Sequence, residues 1–321
     1  MKFLSGLLLT LLYIVFLPLV IIGTLIQAYA EFVVSRRYGA SATAVEIITY
    51  RLLLHELRTR EDHAAKALAK ALPNVSYWGC WLFLIPMIIV NRLFGTVPLV
   101  AMPEKGKESL KNFITPRTAF IDRHLMDHIA AVDQVVIMGA GYDTRAYGLL
   151  RGADVTIFEL DEANTQRLKL AALDRAVIER GDVTYVEVDF DHESWDEKLV
   201  QSGFDPSKST LFLLEGVTNY LEKDAALETL KTVVRIGGPG GRIILDLYDQ
   251  SMMDSFNSGA ARVFKYTNES FKFGLNMAAD PELAVAEIIE SAGLKCLQIQ
   301  VFGHKRKNKS AFMAMVLAGP A

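Results

Sequence analysis

In the second half of the chain, five short apolar runs each lead to a residue able to meet a ligand: Gly139, Glu159, Asp189, Glu215 and Asp246. The first run, Gln134-Val-Val-Ile-Met138, opens into Gly139-Ala140-Gly141-Tyr142-Asp143-Thr144. Glycines directly after a buried strand let backbone approach a bound molecule closely, which is how strand-to-helix turns hold nucleotides. Glu159 stands 20 residues beyond Gly139, at the end of the next run, where a carboxylate can accept both hydroxyls of a ribose.

The third position of the turn separates one nucleotide from another. The dinucleotide fingerprint G-x-G-x-x-G puts a third glycine where helix and strand pack closely, and here Thr144 occupies that place. Asp143 adds a carboxylate that would repel a pyrophosphate and could bind an ammonium group. S-adenosylmethionine has an α-amine, a ribose and an adenine but no phosphate, so the turn favours it over a nicotinamide dinucleotide.

Elements of an α/β fold must position these residues. Strands are predicted at 134–138, 155–158, 183–188, 210–214 and 242–245, with a helix over 162–179 between the second and third. Strands separated by helices imply a parallel sheet with right-handed crossovers. Residues 295–302 and 311–317 are joined by a short basic loop, His304 to Lys309, too short for a crossover, so they pair antiparallel. A doubly wound, Rossmann-like sheet ending in an antiparallel hairpin is the architecture associated with class I methyltransferases.

The first hundred residues are of another kind. From Phe3 to Ala30 no residue is charged, and as a helix the run would measure roughly 42 Å against a hydrocarbon core of about 30 Å. An N-terminal transmembrane helix over 1–35 is expected, with a signal peptide ending at Ala28-Tyr29-Ala30 and a buried soluble helix as rivals. Arg36 and Arg37, with Arg51, Arg58 and Arg60 beyond, place the following chain on the cytoplasmic side. Residues 36–103 read as a helical cap, with helix over 41–71 and a second uncharged run, Ala71 to Asn91, holding Trp78, Trp81 and Pro86. Basic residues flank both ends of that run, which suits an interfacial or re-entrant segment better than a crossing; burial in the cap or in an oligomer interface is the alternative. Residues 104–321 form the catalytic domain.

Four stretches together carry a resemblance. Pro116-Arg-Thr-Ala-Phe-Ile-Asp122, Val135 to Ala146, Phe158-Glu-Leu-Asp161 and Phe212-Leu-Leu-Glu-Gly-Val-Thr-Asn-Tyr-Leu221 resemble the leucine carboxyl methyltransferase family and its bacterial relatives, over roughly residues 40–321. The resemblance implies S-adenosylmethionine as methyl donor and O-methylation, often of a carboxylate. It implies that Arg117 holds the methionyl carboxylate, that Gly139, Ala140, Gly141 and Asp143 hold the methionyl end, and that Glu159 takes the ribose. It further implies Asp189 at the adenine edge and Glu215 facing the amine or the transfer channel. Asn219 and its neighbour Thr218 depart from the larger apolar residues usual before the tyrosine, and the apolar insert and leading helix are additions; the acceptor is therefore not carried over.

Methyl transfer is an in-line displacement that needs positioning and desolvation. A carboxylate acceptor needs no base, whereas a hydroxyl acceptor does, and His55, His124, His128, Tyr220 and Tyr248 are the candidates, with Glu215, Tyr220 and His124 taken as catalytic. His124 and His128 have a metal-compatible i, i+4 spacing but no evident third ligand, so no metal is expected. The chain has 321 residues, 51% apolar and 22% charged, with Lys+Arg 34 against Asp+Glu 37. That balance argues against nucleic acid as a partner, and two cysteines exclude a disulfide framework. The expected partners are a small, lipophilic methyl acceptor, membrane lipid and a second copy of the chain. A Rossmann oxidoreductase and a catalytically silent membrane scaffold remain as other readings.

Overall fold

A computed structural model describes residues 2–95, 97, 99–190, 192–258, 266, 269–307 and 310–321. Seven strands form one sheet in the order β3-β2-β1-β4-β5-β7-β6. They are β1 (Gln134–Met138), β2 (Thr156–Asp161), β3 (Val183–Glu187), β4 (Thr210–Leu214), β5 (Arg242–Tyr248), β6 (Leu294–Phe302) and β7 (Met313–Pro320). The first five run parallel, and β7 pairs antiparallel with both β5 and β6. This is the class I methyltransferase order, and the closing hairpin sits where the short connection requires it. Of the loop His304 to Lys309, Asn308 and Lys309 lie outside the described residues.

Strands β1 and β4 are buried along their whole length, as central parallel strands covered on both faces must be. One face packs Val135, Ile137 and Leu213 against helices α4 (Ala42–Glu56), α5 (His63–Ala71) and α8 (Ala163–Arg175). The other packs Val136, Phe212 and Leu214 against α9 (Trp195–Gln201), α10 (Lys223–Ile236) and α12 (Pro281–Ser291). Between β1 and β2 there is no α-helix: the chain passes through a single 3₁₀ turn, Arg145–Tyr147.

The predicted helix over 41–71 is two helices. Ser41 caps α4 by accepting from Ala44 N at 3.0 Å, and Asp62 caps α5 by accepting from Ala65 N at 2.9 Å. A polar stretch between them supplies the break, since a capping side chain that satisfies backbone N–H groups starts a helix anew.

The uncharged N-terminal run is also divided. Pro18, which lacks an N–H, opens the second helix, so the run is α1 (Lys2–Val15) and α2 (Leu17–Ala28), continued by a π-helical segment Tyr29–Val34 and by α3 (Ser35–Tyr38). Both α1 and α2 lie against α6 (Tyr77–Phe94). Helices α2 and α6 cross at paired glycines: a Cβ on Gly23 would fall 2.6 Å from Gly79 O. Small residues at a crossing allow backbones this close. Gln27 then accepts from Ser76 N at 2.8 Å and reaches Thr49 on α4 at 3.4 Å, while Asn91 near the far end of α6 donates to Leu57 O at 2.7 Å. Both ends of α6 are thus tied to the α4 region, and the apolar helices form a layer lying along the cap.

Candidate active site

A cavity of about 1110 Å³ opens at the carboxyl ends of β1, β2, β3 and β4. Its floor includes Gly139, Ala140, Gly141, Asp143, Asp161, Asp189, Phe190 and Glu215; its roof includes Thr24, Gln27, Glu31 and Phe32 of the N-terminal layer. Helix α4 supplies Thr43, Glu46, Ile47, Tyr50 and Arg51, positions on one helical face, while Val45, Ile48 and Leu52 on the other face fill the core.

The glycine turn is built to be bare. Gly139 has φ +60°, and a Cβ there would lie 2.3 Å from Val217 Cγ2. The N–H groups of the turn are already used: Ala140 donates to Leu160 O at 2.9 Å, Gly141 to Asp161 Oδ2, and Asp143 to Ala140 O at 2.7 Å. With those donors engaged and no α-helix N-terminus following β1, the site lacks the two features that hold a pyrophosphate. The turn suits a phosphate-free nucleoside better than a dinucleotide.

Glu159 is not at the strand end. Strand β2 runs three residues past the predicted apolar segment, so Glu159 pairs with Ile137 inside the sheet and Asp161 lies level with the turn. Glu159 is 1% exposed and is absent from the cavity wall; its Oε2 takes Lys169 Nζ at 2.7 Å and Tyr147 OH at 2.9 Å. The carboxylate of β2 that lines the cavity is instead Asp161, two residues on along the same face. Burial pushes the Asp161 carboxyl up to about 6, with the Gly141 N–H pulling the other way.

Asp143 lines the cavity but its carboxylate is occupied. Arg51 grips it through Nη1–Oδ1 at 3.1 Å and Nη2–Oδ2 at 2.7 Å, and Arg145 N donates to Oδ1 at 2.7 Å. Burial raises this carboxyl, yet Arg145 and Arg51 hold it well below the usual range. The expected contact with a ligand ammonium gives way to an anchoring role: Asp143 fixes Arg51 in the cavity wall. Arg117 reaches the cavity as expected, 3% exposed, with Nη2 2.7 Å from Asp246 Oδ2 and 3.5 Å from Glu215 Oε1. Asp246 is wholly buried and also accepts from Gly216 N and from Tyr248 OH at 2.9 Å. Glu215 faces Arg145, Arg117 and Arg51. Those cations hold its carboxyl down against a burial effect that raises it. Guanidinium groups of Arg51 and Arg117 are thus presented at the cavity wall on a buried carboxylate lattice, suited to a planar carboxylate ligand. Asp189 lines the same wall beside Phe190, beyond the end of β3.

The proposed bases separate. His124 is on α7 (Ile114–His128), 5% exposed, wedged between Phe120 at 4.3 Å and His128 at 6.2 Å between ring centroids. It lies away from the cavity wall, as do His128 and His55, whose Nδ1 accepts from Asp62 N at 3.1 Å. His124 is therefore a packing histidine and not a catalytic one. Among the described residues no group of three His, Cys, Asp or Glu is placed to hold a metal. Tyr220 and Tyr248 do line the cavity, but burial raises both phenols well above their usual value. Near neutral pH they are hydrogen-bond donors.

Sequence reasoning passed over Arg51, read only as a charge flanking a membrane helix, and the cavity carboxylates Glu31, Glu46 and Glu269. Glu269 accepts from Ser41 Oγ at 2.7 Å and Thr43 Oγ1 at 2.8 Å at the N-terminus of α4. The signal available for Arg51 was its position one helical turn beyond Ile47 on the polar face of α4; nothing local marked Glu269.

Residues 80–234 match the family described as Leucine carboxyl methyltransferase. A protein of Mycolicibacterium smegmatis, provisionally named S-adenosyl-L-methionine-dependent methyltransferase, is 36% identical over 148 residues, covering 45% of this chain and 46% of that one. A second from the same organism, similarly named, is 29% identical over 191 residues, covering 59% and 62%. The chain thus spans about half the length of the curated relatives it matches. Among solved structures, a provisionally named sarcosine dimethylglycine methyltransferase from Galdieria sulphuraria aligns over 72% of this chain and 96% of its own, at 11% identity and a TM-score of 0.45. The sheet order is that of a class I methyltransferase, and over residues 80–234 the chain is similar to the leucine carboxyl methyltransferase family.

Proposed function

We propose that the protein is an S-adenosylmethionine-dependent methyltransferase that works at a membrane surface and O-methylates a lipophilic acceptor. The observation that carries this reading is a cavity whose floor is the glycine turn with Asp161 and whose roof is the inner face of the apolar N-terminal layer. Relatives named as S-adenosylmethionine-dependent methyltransferases support the donor.

In this reading Arg117 and Arg51 take the methionyl carboxylate, the bare turn at Gly139 accommodates the methionyl chain, Asp161 accepts from the ribose hydroxyls, and Asp189 and Phe190 border the adenine. S-adenosylmethionine supplies an electrophilic methyl group on a sulfonium. The protein's contribution is to orient the donor and to keep water out, and Tyr220, Phe271, Met252 and Phe256 line the acceptor side for that purpose.

Support for the membrane comes from the outer face of the layer. Leu4, Leu7, Leu11 and Ile14 of α1 and Leu17, Leu19, Ile21, Ile22, Leu25 and Ile26 of α2 are exposed, so most of the surface of α2 is bare and apolar, and Trp78 on α6 is 72% exposed. Arg36, Arg37 and Lys70 supply basic residues at one end. An exposed apolar helical layer with tryptophans and a basic margin suits a membrane surface, with the catalytic domain on the cytoplasmic side. Leu17–Tyr38 and Tyr77–Phe94 are each long and apolar enough to cross a membrane; the ties from both ends of α6 to the α4 region support the in-plane arrangement for α6.

Transfer of a labelled methyl group from S-adenosylmethionine to a membrane-lipid extract tests the reading. Label recovered in the organic phase is the expected result. Label only in water-soluble acceptors overturns the lipophilic part, and no transfer to any acceptor leaves the silent scaffold.

A further inference from the structure

The acceptor side of the cavity has a chemistry of its own. Glu31 from the π-helical segment, Glu46 from α4 and Glu269 all line it. Asn219, which departs from the apolar residues usual in that motif, also lines it; it is 5% exposed, and its Oδ1 has no hydrogen-bond partner among the described residues. A buried acceptor left unsatisfied is costly unless something donates to it, so the wall at Asn219 calls for a ligand with a proton to offer. A carboxylate acceptor has none to offer at neutral pH.

Resting on the methyltransferase reading, we infer that the methyl acceptor is a hydroxyl-bearing amphiphile, its O–H received by Asn219 Oδ1 and Glu46, with Glu46 as the proton acceptor of the transfer. The acceptor O–H bond breaks with its proton passing to the Glu46 carboxylate, the new O–CH₃ bond forms, and the sulfur–CH₃ bond breaks with its electron pair returning to sulfur as a neutral thioether. Charge balances, because one sulfonium and one carboxylate become a thioether and a carboxylic acid.

Glu46 is suited to the role by its surroundings. Its side chain lines the cavity and is open to it. Burial, followed by the charge of Glu269, lifts its carboxyl to about 7, so it holds a proton with useful strength near neutral pH. The groups facing it are Glu31 and Glu269 together with the Tyr220 phenol; Arg36 from α3, Arg51 on the same helix, Arg117 and Lys272 are cations that line the same cavity.

The test uses the full chain with hexadecanol and hexadecanoate as paired probes, measured for binding in the presence of S-adenosylhomocysteine and for methyl transfer. Hexadecanol should bind and be methylated in preference to hexadecanoate by tenfold or more. Asn219→Leu should weaken hexadecanol binding about tenfold while leaving S-adenosylhomocysteine affinity unchanged. Glu46→Gln should lower the transfer rate by about 10²–10⁴ and abolish the rise of rate with pH centred near 7, with both ligands still bound. Equal or better use of hexadecanoate, or a Glu46→Gln enzyme with the parent rate and pH profile, overturns the inference. Absence of S-adenosylhomocysteine binding by the unmodified protein would instead remove the methyltransferase reading beneath it.

Discussion

Replacing Arg51 by Met separates an anchored charge lattice from a set of loosely placed site residues. The side chains of Arg51 and Asp143 are 3% and 7% exposed, and two hydrogen bonds join them. Breaking one side of a buried pair costs about 3–5 kcal/mol. Asp143 keeps Arg145, and Met fills much of the vacated volume, so a loss of about 3 kcal/mol is expected. At about 2–4 °C per kcal/mol for a domain of this size, the midpoint should fall by about 6–12 °C. The pH dependence supplies an internal control. Asp143 is held well below its unfolded value, so its contribution is complete above about pH 4 and is lost as pH falls toward its folded value. The gap between parent and Arg51→Met should therefore be full at pH 7 and narrow below about pH 4. Differential scanning calorimetry across that range measures both. A shift under 2 °C, or a gap unchanged between pH 7 and pH 3, would refute the claim that the Arg51–Asp143 pair holds the site together.

Three further outcomes follow from other parts of the site. Gly139→Ala forces a Cβ into a positive-φ turn within 2.3 Å of Val217 Cγ2, so it should cost about 2 kcal/mol or more in stability and remove S-adenosylhomocysteine binding; a variant with parent melting and affinity would show that the turn is not constrained as described. Ribose hydroxyls donating to Asp161 favour its ionised form, and its free carboxyl sits at about 6, so S-adenosylhomocysteine affinity should fall as pH drops below about 6 and level off above; calorimetric titrations that are flat from pH 5 to pH 8 would exclude that contact. Trp78→Ser combined with Trp81→Ser should reduce co-sedimentation with anionic vesicles while leaving the melting point within about 2 °C, since Trp78 is 72% and Trp81 37% exposed; unchanged sedimentation counts against the in-plane arrangement.

The sheet was legible because its strands are bounded by glycines and polar turns and because the final connection is too short to cross over. What was not legible depends on register and on contacts far apart in sequence. Glu159 and Asp161 are equivalent by composition, and only the pairing of Ile137 with Glu159 shows which carboxylate reaches the strand end. Helical spacing set His124 and His128 on one face of α7 but could not tell that the face packs against Phe120 and away from the cavity. Arg51 carried two meanings: next to an apolar run it reads as a topological charge, whereas the fold brings it to Asp143, 92 positions away. The uncharged N-terminal run has the length needed for a crossing, but its packing on α6 was not legible, because the paired glycines that set α2 against α6 lie 56 residues apart, at Gly23 and Gly79. Glu31, Glu46 and Glu269 meet only because the N-terminal layer roofs the cavity.

Calorimetric titration of S-adenosylhomocysteine and of a nicotinamide dinucleotide into the full chain and into Asp161→Asn tests the central claim, that the turn and strand end form an S-adenosylmethionine site. Hydrogen bonds to a charged acceptor contribute about 1.5–3 kcal/mol, so the substitution should weaken S-adenosylhomocysteine by roughly 10–150-fold. Binding of S-adenosylhomocysteine by the parent, loss of this size in Asp161→Asn and no heat from the dinucleotide are the results expected. Tight dinucleotide binding without S-adenosylhomocysteine binding, or an Asp161→Asn protein with the parent affinity, would contradict it.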